Sequence, residues 1–195
     1  MSPIDRSRSL FVVAVAAATA LWGSSAAPQP QDKSNTSVRR VDRYVHVAAF
    51  LNLAQGTVRI VAAVPSDVRS SLGVVDSIAS IVRENPSKRL RAYIILTGAE
   101  SPLQAAVLAG QAPDPRVVYF WDPAGEVAKT WAWDGTACAW LYDTSAKFAD
   151  PPPQASLTVT AKKDGKPYFQ CDALRAMSND LVRRVEAKVE ASGTE

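Results

Sequence analysis

The sequence predicts an α/β protein in which helices sandwich a mixed sheet, and three observations lead there. Residues 58–64, VRIVAAV, form an apolar run with little polar alternation, the pattern of a strand covered on both faces. After Pro65, the residues Val68, Leu72, Val75, Ile78 and Val82 step by four, three, three and four, tracing one helical stripe, and a second apolar strand follows at 89–96. A strand, a helical crossover and a strand make the two strands parallel. Late in the chain, Lys163-Asp164-Gly165-Lys166 carries an Asp-Gly hairpin turn, and residues 172–191 form a closing helix.

The first residues read as a processing segment. Arg6 and Arg8 precede an apolar run at 10–22, and Gly23-Ser24-Ser25-Ala26-Ala27 supplies the small residues of a cleavage site. The run is short for a bilayer span, so residues 1–26 are expected to be a signal peptide that is removed. No stable membrane span is expected after that cleavage. Residues 27–37, largely PQPQDKSNTS, are polar and read as a disordered leader. The chain from 38 to 195 is long enough for one domain with a full core.

From 38 to 54 two readings stand. Val41, Val45 and Ala48 keep helical spacing, while Tyr44-Val45-His46-Val47 could form a short strand; a helix over at least 48–54 is favoured, ended by Gln55-Gly56. Asn85-Pro86 stops the long helix. Ser101 and Pro102 open another as cap and first helical residue. A third strand is expected at 116–121, and Asp122-Pro123 repeats the cap-and-proline start for a helix over 124–133. A fourth strand follows at 137–142. A loop at 143–153 ends in three prolines, and a half-exposed strand covers 156–161, returning after the hairpin turn through Tyr168 and Phe169. Leu174, Met177, Leu181, Val185 and Val189 are the expected inner face of the last helix.

Composition narrows the chemistry. The hydrophobic content of 47%, charged content of 21% and net charge of +3 are those of an ordinary globular chain, and no basic stripe with interleaved aromatics supports a nucleic-acid interface. His46, the single histidine, has no neighbouring histidine or carboxylate cluster, so no metal site and no cofactor are expected. No phosphate loop or Ser/His/Asp order is present. In an exported chain Cys138 and Cys171 are candidates for one structural disulfide, with two buried thiols as the alternative; their spacing is unlike a CxxC redox or zinc motif.

This order of elements resembles the thioredoxin-like superfamily, more closely its exported thiol–disulfide oxidoreductase and peroxiredoxin-like branch. Residues 58–82 look like its strand, active-site turn and long helix. Residues 117–128, VVYFWDPAGEVA, look like the strand, turn and helix that branch inserts, and 157–169 like its terminal hairpin. The resemblance implies a three-layer α/β/α sandwich over 38–195, with a mixed sheet, a C-terminal β-hairpin and a terminal helix. It also implies a thiolate at the start of the long helix and a second thiol one turn on. Ser66 and Arg69 stand in those positions, so the active site is vestigial. The resemblance further places a cis-proline opposite that turn. Pro153 is the candidate if the following strand is 156–161, with Gln154 as a shifted register, or Thr136 if the strand is 137–142.

The expected function is that of an exported, non-redox binding or interaction module with a protein partner. Ser66, Asp67, Arg69 and Pro153 are its candidate binding residues. A helix start can hold an anion or a partner's backbone, and Arg69 adds charge, although Asp67 would repel an anion. Ser66 as a plain helix cap, with Asp67 complementing the dipole, is the simpler alternative. A thiol–disulfide oxidoreductase using Cys138 and Cys171 is the competing reading, and it needs Cys138 near Ser66.

Overall fold

The computed structural model describes residues 37–66, 68–110, 113–163, 166–167 and 171–192. The expected signal peptide and nearly all of the leader lie outside the described residues.

Six strands form one mixed sheet: β1 (Val38–Arg40), β2 (Val58–Pro65), β3 (Leu90–Thr97), β4 (Val117–Asp122), β5 (Cys138–Tyr142) and β6 (Leu157–Thr160). Their spatial order is β1-β4-β3-β2-β5-β6. β1, β4, β3 and β2 run parallel, whereas β5 is antiparallel to β2 and β6 to β5. β7 (Lys162–Lys163) and β8 (Lys166–Pro167) pair as a separate antiparallel ribbon that does not widen the main sheet, and Asp164-Gly165 lies outside the described residues. Tyr168 and Phe169 lie outside the described residues.

Alternation along the strands builds two cores. Val58, Ile60, Ala62 and Val64 of β2 share one face with Leu90, Ala92, Ile94 and Leu96 of β3. Three helices cover that face: α2 (Val68–Glu84), α3 (Pro102–Gly110) and α5 (Cys171–Ser192). Val61, Ala63, Tyr93, Ile95, Phe120, Trp140 and Tyr142 face the other way, onto α1 (Tyr44–Leu53) and α4 (Glu126–Lys129). This is the thioredoxin-like α/β/α sandwich, with α3 and β4 inserted after the first strand–helix–strand unit.

Most elements fall where periodicity puts them, and the departures have physical causes. Val75, Ile78 and Val82 are fully buried on α2, and its end at Glu84 precedes Asn85-Pro86 as expected. Ser101 caps α3 by accepting the Gln104 N–H at 3.2 Å. Residues 44–47 are helical, because α1 buries Tyr44, Val47, Ala48 and Leu51 on one face; β1 precedes it, three residues too short to show a period. The helix expected at 124–133 contracts to α4. Gly125 stands at its N-cap with φ 70°, and the Asp122 carboxylate takes the Val127 and Ala128 N–H groups at 2.9 and 3.0 Å. On α5 the buried stripe runs through Leu174, Ser178 and Val182, which leaves Met177 and Val189 exposed, contrary to the expected inner face. The stripe rotates because α5 packs on both α2 and β6.

Candidate functional site

The turn that the sequence singles out stands at the C-terminal end of β2, beside the C-terminal end of β3. The Ser66 N–H donates to Thr97 O at 2.8 Å, and the Thr97 hydroxyl donates to Val64 O at 3.2 Å. Gln104, on the inserted helix α3, reaches over with its Nε2 to Ser66 O at 3.0 Å and accepts the Glu100 N–H on its Oε1 at 3.1 Å. The buried Ser71 hydroxyl donates to Pro65 O from the second turn of α2. Gly98 turns the chain beside Ser66 at φ 68°, a left-handed conformation that side chains disfavour. The backbone of this turn is therefore pinned from three sides, and its one reactive-looking group is the half-buried Ser66 side chain.

Helix α2 is described from Val68, two residues past Ser66. Asp67 and the side chain of Arg69 lie outside the described residues. Pro153 is not brought to the turn. β5 runs antiparallel to β2 with Cys138 opposite Ala63, a register that places residues 135–136, not Pro153, across from Pro65 and Ser66. Thr136 thus holds the position where the resemblance implies a cis-proline. Its N–H donates to Asp134 Oδ1 at 2.9 Å, and its own carbonyl accepts the Trp133 indole N–H. Pro153 precedes β6, whose Leu157 pairs with Leu141, at the Arg59 end of the sheet. The cis peptide among the described residues is Asp150–Pro151, at that same far end.

The two cysteines are not brought together either. Cys138 points into the core beneath α1 and α4, alongside Val61, Ala63 and Trp140, while Cys171 opens α5 on the opposite face. Both thiols are free, so the disulfide expected from export and even count is corrected by strand parity: the sheet itself lies between them. Burial pushes the Cys138 thiol up to about 12, with Asp134 adding to the rise. Such a thiol is a poor nucleophile at neutral pH, which removes the proposed redox pair as a reactive unit.

Sequence reasoning missed two features. Arg59, inside an otherwise apolar strand, is fully buried. Its Nη1 donates to Leu51 O at 2.9 Å, and its Nη2 to Asp143 O at 2.7 Å and Ala146 O at 3.0 Å. The signal was its charge in a strand covered on both faces, and burial lowers its pKa. Gln104 as a clamp on the turn had no signal in sequence, since it rests on how α3 crosses the sheet end. Asp122, expected as a cap, does cap α4, but from a buried position ahead of Gly125 and with Oδ1 unpartnered; burial raises its pKa against the opposing pull of the helix N–H groups.

No protein-family model matches the sequence, and no curated protein aligns with it significantly. Solved structures similar to the chain include a protein from Chlorobium tepidum assigned as thiol:disulfide interchange protein DsbE, at 14% identity and TM-score 0.48, covering 69% of this chain and 84% of that one. Others are a secreted Mycobacterium tuberculosis disulfide oxidoreductase homologous to E. coli DsbE (15%, TM-score 0.44, 70% and 85% covered) and a secreted thiol-disulfide isomerase from Corynebacterium glutamicum (15%, TM-score 0.45, 69% and 74% covered). Among the described residues no helix is long and apolar enough to cross a membrane. By its own strand order, pairing and helix placement, the chain has a thioredoxin-like fold, and residues 66–69 between β2 and the body of α2 contain no cysteine.

Proposed function

We propose that the protein is an exported thioredoxin-fold binding or interaction module that performs no thiol–disulfide chemistry. The observation that carries this reading is the turn itself. Redox exchange needs a thiolate at the start of α2 and a second thiol within a turn, and residues 66–69 read Ser-Asp-Val-Arg. A serine hydroxyl caps or accepts a hydrogen bond; a helix dipole contribution of about 1 kcal/mol does not bring it near ionisation at neutral pH. The separation of Cys138 from Cys171 across the sheet removes the other source of a dithiol. Export is supported by the pattern of Arg6, Arg8, the apolar run at 10–22 and the small residues after it. The module reading makes the surface around Ser66 and Arg69 the contact region for a protein partner.

The test is an insulin-reduction assay with the mature protein, run beside a Ser66→Cys, Arg69→Cys double variant. The native chain is expected to give no reductase turnover, whereas the double variant gains a readily reduced pair. Turnover by the native chain would overturn the non-redox reading. A folded double variant inert to both alkylation and oxidation would show that the turn is not an exposed helix start. N-terminal sequencing of the protein from its native source tests export, and a chain beginning at Met1 or Ser2 in the cytosol would refute it.

A further inference from the structure

β2 and β3 pair in parallel so that Arg59 lies directly beside Arg91, and both share a face with Tyr93. Arg59 is fully buried and spends its Nη groups on backbone carbonyls, while its Nε has no partner. Arg91 is half-buried, and its Nε is also sealed from water without a partner; its hydrogen-bonded neighbour is the Tyr93 hydroxyl. Asp143 is the carboxylate near Arg59, and its Oδ1 already accepts from Ser145 and Ala146. Neither arginine forms an ion pair among the described residues. The Arg59 Nη groups are satisfied by carbonyls and its face by the Phe148 ring, so the cation left without a contacting counter-charge at an open face is Arg91, an arrangement that an anion would relieve.

Arg91 opens onto a groove of 270 Å³ between the C-terminal end of α1 and strands β3 and β4. Phe50, Leu53, Tyr93 and Val118 wall it, Gln55 and Thr57 edge it, and no Asp or Glu lines it. Leu53 is 84% exposed there, an apolar side chain left to water at the mouth. Arg39 lies over the ring of Phe50, one of the wall residues, at 4.8 Å. Two of the carbonyls at this end of α1, which would repel an anion, already accept hydrogen bonds. Ala54 O accepts both the N–H and the hydroxyl of Thr57, and Leu51 O accepts Arg59 Nη1 and the Ala54 N–H.

We propose that this groove binds a small carboxylate with an apolar body, of the class of medium-chain fatty acids. The carboxylate sits on the Arg91 guanidinium, whose planar fork matches it, and the chain lies along Phe50, Leu53 and Val118. The groove is at the opposite end of the sheet from Ser66, so it stands independently of the reading of that turn.

Calorimetric titration of the full chain with octanoate, below its micellar concentration, is the test. Saturable binding is expected, with 1-octanol and acetate each weaker by about tenfold or more, since one lacks the charge and the other the apolar body. Arg91→Gln is expected to weaken octanoate about tenfold, the worth of one charge-assisted hydrogen bond. Leu53→Asp, at an exposed position the fold tolerates, weakens it as well, and Arg83→Gln on α2 leaves it unchanged. Absence of saturable octanoate binding overturns the proposal, as does equal affinity for 1-octanol or acetate. Unaltered affinity in an Arg91→Gln protein that melts like the native one does the same. Where Arg91→Gln fails to fold, the Leu53→Asp result decides: unchanged affinity there rejects the groove.

Discussion

Replacing Arg59 by methionine tests whether a buried charge held only by carbonyls stabilises this fold. The guanidinium ties α1 to the loop after β5 through Leu51 O, Asp143 O and Ala146 O, and its face stacks on Phe148 at 5.0 Å. Methionine fills much of the volume but donates nothing. Leu51 O keeps a bond from the Ala54 N–H at 3.3 Å, so the loss falls on Asp143 O and Ala146 O. A buried acceptor left without a donor costs about 1–3 kcal/mol. Against this stands the relief of desolvating a charge that contacts no carboxylate, itself worth several kcal/mol. Two acceptors at that cost together outweigh the relief only narrowly, so the net expectation is a loss of about 1 kcal/mol, with the loop at 143–148 opening before the sheet. Asn52 still grips Phe148 through both its amide groups, at 2.8 and 2.9 Å, so adding Asn52→Ala releases the loop fully. Urea midpoints and hydrogen exchange measure the two effects. An Arg59→Met protein as stable as the native one, with exchange at 143–148 unchanged, would refute the reasoning, because desolvation would then outweigh the carbonyl bonds.

Other expectations follow from the same geometry. Val61→Asp buries an unpaired carboxylate under α1, a penalty of several kcal/mol comparable to the whole stability of a domain, and circular dichroism is expected to show an unfolded chain; a melting temperature near the native value would mean that β2 is misplaced. With a maleimide at neutral pH, half-exposed Cys171 is expected to label in the folded protein and Cys138 only after denaturation, so fast labelling of both would contradict the burial of Cys138. The fold raises the Cys138 pKa to about 12, so it favours the neutral thiol. That contribution to stability is complete below the ordinary thiol value and is lost as pH rises from there toward 12, a decline that a Cys138→Ala variant should lack in alkaline denaturation.

The sequence by itself determined the α/β class, the strand–helix–strand unit, the cap at Ser101 and the absence of a dithiol at 66–69. Each is a local property: a period of side chains, a capping residue, or the chemical identity of residues one turn apart. Tertiary structure decided what depends on parity and pairing between distant strands. Cys138 and Cys171 read alike in sequence, but Cys138 faces α1 and α4 while α5 carries Cys171 onto the other layer, so the sheet parts them. Pro153 is the leading candidate in sequence, with Gln154 and Thr136 behind it, and the order reverses because β5, rather than β6, takes the place beside β2. Arg59 and Arg91 are 32 positions apart and meet only because β2 and β3 pair in that register, which no periodicity within either strand encodes.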